Sequence, residues 1–244
     1  MNILDKIVTV GFPPDKYYRE FTEKSQIVLH HTVSGKGIDG DVAWWLSEKK
    51  RIATAIIVDR DGIPWQCFSS RFWGHHLGIK PKVFTDNGIP LVYRTCENSK
   101  ILYVANNEIL NERSIGIELD NWGPLICTGN GKWYPARWDI KKKKFVPNTF
   151  TAPIPEENVQ IYPDKFRGFE GFEKYSKPQL ETVGLLCQYW NSKYSISMAY
   201  NDSMWDVSKL ALQGFPGIWA HVSYRSDKSD PHPQPELVSM LKKL

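Results

Sequence analysis

Residues Ile27-Val28-Leu29 run into His30-His31-Thr32 with no polar break. A continuous apolar run suits a strand covered on both faces, so this stretch predicts a central strand. The Gly-rich turn Ser34-Gly35-Lys36-Gly37 follows, and Asp39 or Asp41 then stands where it can cap a helix carrying Val42, Trp45 and Leu46 at helical spacing. Two β-prone runs, Ala53 to Val58 and Ile63 to Phe68, flank Asp59-Arg60-Asp61-Gly62, which predicts a hairpin. Ser114 to Asp120 alternates well enough for a further strand. Ser176-Lys177-Pro178-Gln179 matches a capping box, and the helix it opens places Leu180, Val183, Cys187 and Trp190 on one face. Ile218-Trp219-Ala220 leads into His221 as a short strand or turn, and Pro235 with Leu237 to Leu241 predicts a closing helix.

Two stretches lack a steady period. Residues from about 72 to 100 carry Gly, Pro, Asn and Ser and read as a long loop over a cleft. Residues 121–175, rich in Pro, Gly, Trp and Lys, read as an insertion rather than a second folded domain. A structureless loop of that length is unusual, so the segment is expected to hold strands of its own or to form a lid. There is no internal repeat. The expected fold class is α/β, a central mixed β-sheet flanked by α-helices, as a single domain over 1–244 with an insertion at about 121–175. The order of elements alone barely separates α/β from α+β.

At 244 residues the chain can bury a full core, and 41% apolar with 24% charged residues is ordinary for a globular protein. Ten Trp and eleven Tyr exceed what such a core needs, which admits an aromatic-lined cleft for sugars or extended ligands beside simple core packing. A net charge of +4 suits an anionic polymer and falls short of nucleic-acid binding. Lys141-Lys142-Lys143-Lys144 reads as a solvated turn, because no aromatics interleave with it. Cys67, Cys96, Cys127 and Cys187 are widely spaced without a CxxC pair, so no disulfide is signalled. The N-terminal residues lack a basic segment followed by an apolar run, and no stretch is long enough to span a bilayer. The expectation is a protein made in the cytoplasm without a secretory signal or membrane insertion.

The chemistry concentrates in a few places. Adjacent histidines at the end of a β-run, His30 and His31, send one side chain each way, and the pair alone does not say which faces a cleft. His221, Lys228 and Asp230 share one late loop. Asp230 before Pro231 is a common turn start, and one reading is a capping carboxylate. The other reading joins it to His221 and to a histidine of the first strand, making a three-ligand zinc site with an open fourth position beside a lysine. Zinc with an open position activates water, which points to a metallohydrolase.

Taken together and in order, Ile27 to Thr32, Ser114 to Leu119, and His221 through Lys228-Ser229-Asp230-Pro231 resemble the zinc-dependent N-acetylmuramoyl-L-alanine amidases of the type-2 amidase and peptidoglycan-recognition-protein superfamily. Asp59-Arg60-Asp61-Gly62, His76-Leu77-Gly78 and Gln179 fall where that family has weaker features. The likeness covers roughly residues 25 to 240, interrupted by the 121–175 segment. It implies one zinc ion held by His30, His221 and Asp230, with His31 beside the site. It also implies Glu118 as the glutamate assisting the attacking water, since Ile56 stands near where other members have a tyrosine, and Lys228 as the oxyanion-stabilising lysine. His76 and His31 are implied as substrate-contacting residues. The His221–Asp230 spacing is one residue shorter than the commonest bacterial pattern. The activity implied is hydrolysis of the amide between N-acetylmuramic acid and L-alanine of peptidoglycan, by a monomeric, phage-type endolysin reaching the wall after holin-type release. The competing expectations are a non-catalytic peptidoglycan-binding module on the same fold, a virion component positioned on the wall, and a cytoplasmic enzyme recycling muropeptides.

Overall fold

The apolar run ending in two histidines forms a strand buried along its whole length, Gln26–His31. This computed structural model describes residues 3–96 and 100–244. In chain order the strands are β1 (Val8–Thr9), β2 (Gln26–His31), β3 (Ile56–Val58), β4 (Pro64–Gln66), β5 (Tyr93–Thr95), β6 (Leu102–Val104) and β7 (Ser114–Leu119). They continue as β8 (Pro124–Cys127), β9 (Trp133–Asp139), β10 (Lys144–Pro147), β11 (Val159–Phe166), β12 (Phe169–Glu173) and β13 (Gly217–Ala220). The helices are α1 (Asp39–Ser47), α2 (Pro81–Asp86), α3 (Asn106–Arg113), α4 (Lys177–Tyr194), α5 (Lys209–Leu212) and α6 (Pro235–Leu241).

A six-stranded sheet of order β1-β4-β3-β7-β2-β13 forms the centre. β3, β7, β2 and β13 run parallel, whereas β4 returns antiparallel to β3 as the expected hairpin. Registers place His30 opposite Glu118 and Ala220 opposite Leu29. The carboxyl ends of β2, β7 and β13 therefore meet at one edge, the place where open α/β sheets bind ligands. Ile27, Leu29, Ile57, Ile115 and Ile117 are fully buried in the core, which Leu180, Val183, Cys187 and Trp190 of α4 complete. The fold is thus mixed α/β, a central mixed sheet with helices against it.

The capping box at the start of α4 is present as read: Ser176 Oγ accepts from Gln179 N–H (3.2 Å), and Gln179 Oε1 accepts from Ser176 N–H (3.0 Å). Gln179 Nε2 also donates to the carbonyls of Val58 and Asp120, pinning the helix to the ends of β3 and β7. α1 differs from expectation at its start. Its N-cap is Ile38, with no side-chain cap, and Asp39 and Asp41 lie in the first turn, where a carboxylate still favours the helix dipole. Residues 72–100 are not simply loop, since α2 and β5 form within them, while residues 97–99 lie outside the described residues.

Residues 121–175 contain a five-stranded antiparallel sheet, β10-β9-β8-β12-β11. It has a small core of Leu125, Trp133 and Val159. Gly171 matters there, because a Cβ at that position would sit 2.3 Å from the Trp133 ring. Arg60, in the β3–β4 turn, ties this sheet to the central one. It grips Glu173 at the end of β12 with two nitrogens (2.8 and 3.2 Å) and also bonds Asp120, just past β7.

Candidate active site

Each imidazole at the sheet edge is aimed by the sequence around it. His221 begins the turn just after β13, and its Nε2 lies 3.0 Å from the Leu77 carbonyl. A carbonyl only accepts, so His221 carries its proton on Nε2 and turns the Nδ1 lone pair inward. His30 is oriented by a longer chain. Ser114 Oγ donates to the Leu110 carbonyl (2.7 Å), so it accepts from His76 Nε2–H (2.9 Å). His76 Nδ1 is then an acceptor, and it receives His30 Nε2–H (2.9 Å). His30 Nδ1 is left as a second inward lone pair.

The two Nδ1 atoms stand 3.0 Å apart, and Asp230 Oδ2 lies 2.8 Å from His221 Nδ1 and 3.3 Å from His30 Nδ1. All three residues are buried, and their donor atoms lie within 4.8 Å of one another. Burial works against ionising Asp230, but the charge of His221 and the hydrogen bonds of His221 and His30 hold its carboxyl well below the usual carboxylate range. Burial first, and then the neighbouring His221, pushes His30 down to about 4, against the opposing pull of Asp230, so its imidazole is neutral at physiological pH. Two inward-facing Nδ1 atoms and a carboxylate converging on one point call for a positive charge between them. The donor set fits a divalent metal of the zinc type.

The remaining residues read from the sequence fall around this centre. Glu118 and Lys228 line the same cleft, a space of about 240 Å³ that Trp44, Asp41, Thr54 and His75 also border. One Glu118 oxygen, Oε2, is buried without a hydrogen-bond partner, and burial followed by the Asp230 and Asp41 charges raises its carboxyl well above the ordinary value while Lys228 opposes this. Lys228 is half-buried, and its ammonium forms no ion pair among the described residues. His76 spends both ring nitrogens on the chain that orients His30. His31 turns away from His30 and bonds the Tyr175 hydroxyl (2.9 Å), while its Nε2 is buried with no partner. Gly123 packs so closely there that a Cβ would lie 2.4 Å from that Nε2. A larger groove of about 980 Å³ runs between α4 and α6, but it contains none of these groups.

Several residues that shape the site carried no signal in the sequence. Asn111 Oδ1 accepts from the backbone N–H of His76 (2.8 Å) and of Leu77 (3.2 Å), fixing the loop that supplies a partner to His30 and another to His221. Ser114 anchors the relay. Gly116 leaves room for it, since a Cβ there would meet Thr54 at 2.7 Å and His76 Nδ1 at 3.2 Å.

The fold and the clustered donors define a class first: an α/β chain with a buried His-His-Asp group able to hold one metal ion at the carboxyl edge of its sheet. The family model described as N-acetylmuramoyl-L-alanine amidase (Amidase_2) matches residues 21–233, and the chain belongs to that family. Similar solved structures include that of PlyL, at 13% identity over 97% of this chain and 96% of that chain, with a TM-score of 0.47. Another is the endolysin N-acetylmuramoyl-L-alanine amidase LysCS from Clostridium intestinale, at 15% identity over 96% and 94% of the two chains, TM-score 0.44. A third is an AmpD derivative, at 12% identity over 97% and 94%, TM-score 0.46. The search of curated proteins gives no match. No helix among the described residues is long and apolar enough to cross a membrane.

Proposed function

We propose that this chain is a zinc-dependent N-acetylmuramoyl-L-alanine amidase that cuts the amide between N-acetylmuramic acid and L-alanine in intact peptidoglycan, in the manner of a phage endolysin. The observation that carries the reading is the convergence of His30 Nδ1, His221 Nδ1 and Asp230 Oδ2 in a chain of the amidase family. All three ligand positions are filled, which favours catalysis over a binding module that lacks one. The net charge of +4 suits an anionic wall as the substrate.

When bound, zinc supplies a Lewis acid for the scissile carbonyl and brings the pKa of water toward ~7. Glu118 takes the proton of the attacking water and returns it to the leaving amine, work typically worth ~10²–10⁴ in rate. Lys228 faces the oxyanion that develops only in the transition state, so it acts on kcat more than on substrate affinity. We assign His76 to orienting His30, because both its ring nitrogens are engaged there, and His31 to packing against Tyr175 beneath the metal loop.

Chelation should abolish activity on purified sacculi, and zinc should restore it. Glu118→Gln should retain zinc and lose ~10²–10⁴ of turnover. Full activity in that variant would remove Glu118 from the mechanism. Mass spectrometry of products from sacculi beside soluble anhydro-muropeptides tests the substrate. Preference for sacculi is expected, and preference for the soluble fragments would instead make the enzyme a recycling amidase.

A further inference from the structure

The β9–β10 hairpin carries a surface that amide hydrolysis does not use. Trp138 and Phe145 face each other across the two strands, edge to face with centroids 5.1 Å apart, yet they remain 52% and 47% exposed. Ile140, at the turn, is 81% exposed. On the opposite face, Phe150 is 86% exposed, with the Arg137 guanidinium 5.4 Å from its ring. Lys141, Lys142, Lys143 and Lys144 are all exposed around the same turn. The carboxylate of Asp139 is occupied by the backbone N–H groups of Lys141 and Lys142 (3.0 Å each). None of the four lysines forms an ion pair among the described residues. Single exposed apolar residues are ordinary, but Trp138, Phe145 and Ile140 together on one hairpin, beside four exposed lysines without an ion pair, are not.

We propose that this hairpin is a docking element for an anionic lipid surface. Ile140, Trp138 and Phe145 enter the headgroup and upper acyl region, while the lysines reach lipid phosphates on their flexible stems. A soluble polyanion would satisfy the lysines equally well but would offer Ile140 and the aromatic rings no apolar phase to enter. The bilayer is therefore the occupant that accounts for both halves of the patch. The contact is peripheral and involves no membrane-spanning segment, and it is independent of the metal centre.

The test is cosedimentation of the full chain with vesicles of phosphatidylglycerol and phosphatidylcholine in equal parts, against phosphatidylcholine alone. Partition onto the anionic vesicles only is expected. Lys142→Gln with Lys143→Gln should weaken it about 25-fold, from roughly a fivefold loss per lysine. Ile140→Ser, alone and with Trp138→Ser, should weaken it about tenfold or more at unchanged charge. Unaltered thermal melting and unaltered hydrolysis of a soluble muropeptide would show that the variants remain folded. Absence of binding to the anionic vesicles would overturn the proposal. So would binding that survives the Ile140 and Trp138 changes, or that soluble poly(glycerol phosphate) or an acidic protein captures as well as vesicles do, because the patch would then be a simple anion attractor.

Discussion

His76→Ala separates an orienting histidine from one that touches substrate. In the wild type, His30 Nε2–H donates to His76 Nδ1 at 2.9 Å, and His30 is 1% exposed. Removing the acceptor leaves a buried N–H without a partner, a cost of about 1–3 kcal/mol. It also frees His30 to carry its proton on Nδ1, the atom that would face a bound metal. If the loss falls on the metal-bound geometry, zinc affinity drops about 5- to 150-fold, which brackets the ~10–100-fold effect typical of orienting partners. A water entering the space left by the ring would bring the loss toward the lower end. His75→Ala is the control, because His75 Nε2 bonds the Tyr18 hydroxyl (3.3 Å) and its ring meets Trp73 edge-on. Zinc competition against a chromophoric chelator at neutral pH measures all three proteins. The expected order is wild type equal to His75→Ala, with His76→Ala weaker and His76→Gln between them. Wild-type zinc affinity in His76→Ala would refute the orienting role, and equal losses in both alanine variants would show a general loosening of the loop.

Arg60→Met should destabilise the fold by about 3–5 kcal/mol, because it leaves the buried carboxylates of Asp120 and Glu173 without their counterion. Denaturant unfolding measures this, and a loss under about 1 kcal/mol would show that the two sheets do not depend on the pair. Lys24 is 5% exposed, and burial, opposed by Glu112, pushes its ammonium down to about 7 from 10.5. Between about 7 and 10.5 the unfolded chain binds the extra proton, so this residue's contribution to stability rises with pH across that window. Lys24→Met should therefore gain most below pH 7, by on the order of 5 kcal/mol at the limit, with the gain shrinking toward pH 10. A difference that does not change with pH would contradict the buried-lysine account.

What was legible in the sequence was local. The apolar run before His30, the Asp-Gly hairpin and the Ser176–Gln179 box each place their own partners within a few residues, and the structure forms all three. α3 was not legible, because its buried positions include Asn106 and Asn111, which hold loops by hydrogen bonds instead of forming an apolar stripe. The short strands of residues 121–175 carry Pro124, Pro135 and Pro147 within or at the ends of their runs, which hides the alternation that a sheet would otherwise show. At the site, chemistry-bearing residues stood out by type, but their meeting depends on parallel register between β2 and β13, nearly two hundred residues apart in sequence. The sequence singled out His76 as a substrate contact, but its relay between His30 and Ser114 and the Leu77 carbonyl partner of His221 had no sequence signal. Backbone acceptors and single serines look alike everywhere in a chain.

The central claim is that His30, His221 and Asp230 hold one divalent ion between them. Anomalous diffraction at the zinc edge from crystals of the zinc-loaded protein tests it most directly. The account predicts one peak per chain, ~2.0–2.2 Å from both Nδ1 atoms and from an Asp230 oxygen, and no peak in His221→Ala. Zinc bound elsewhere, or bound equally well without His221, would contradict it.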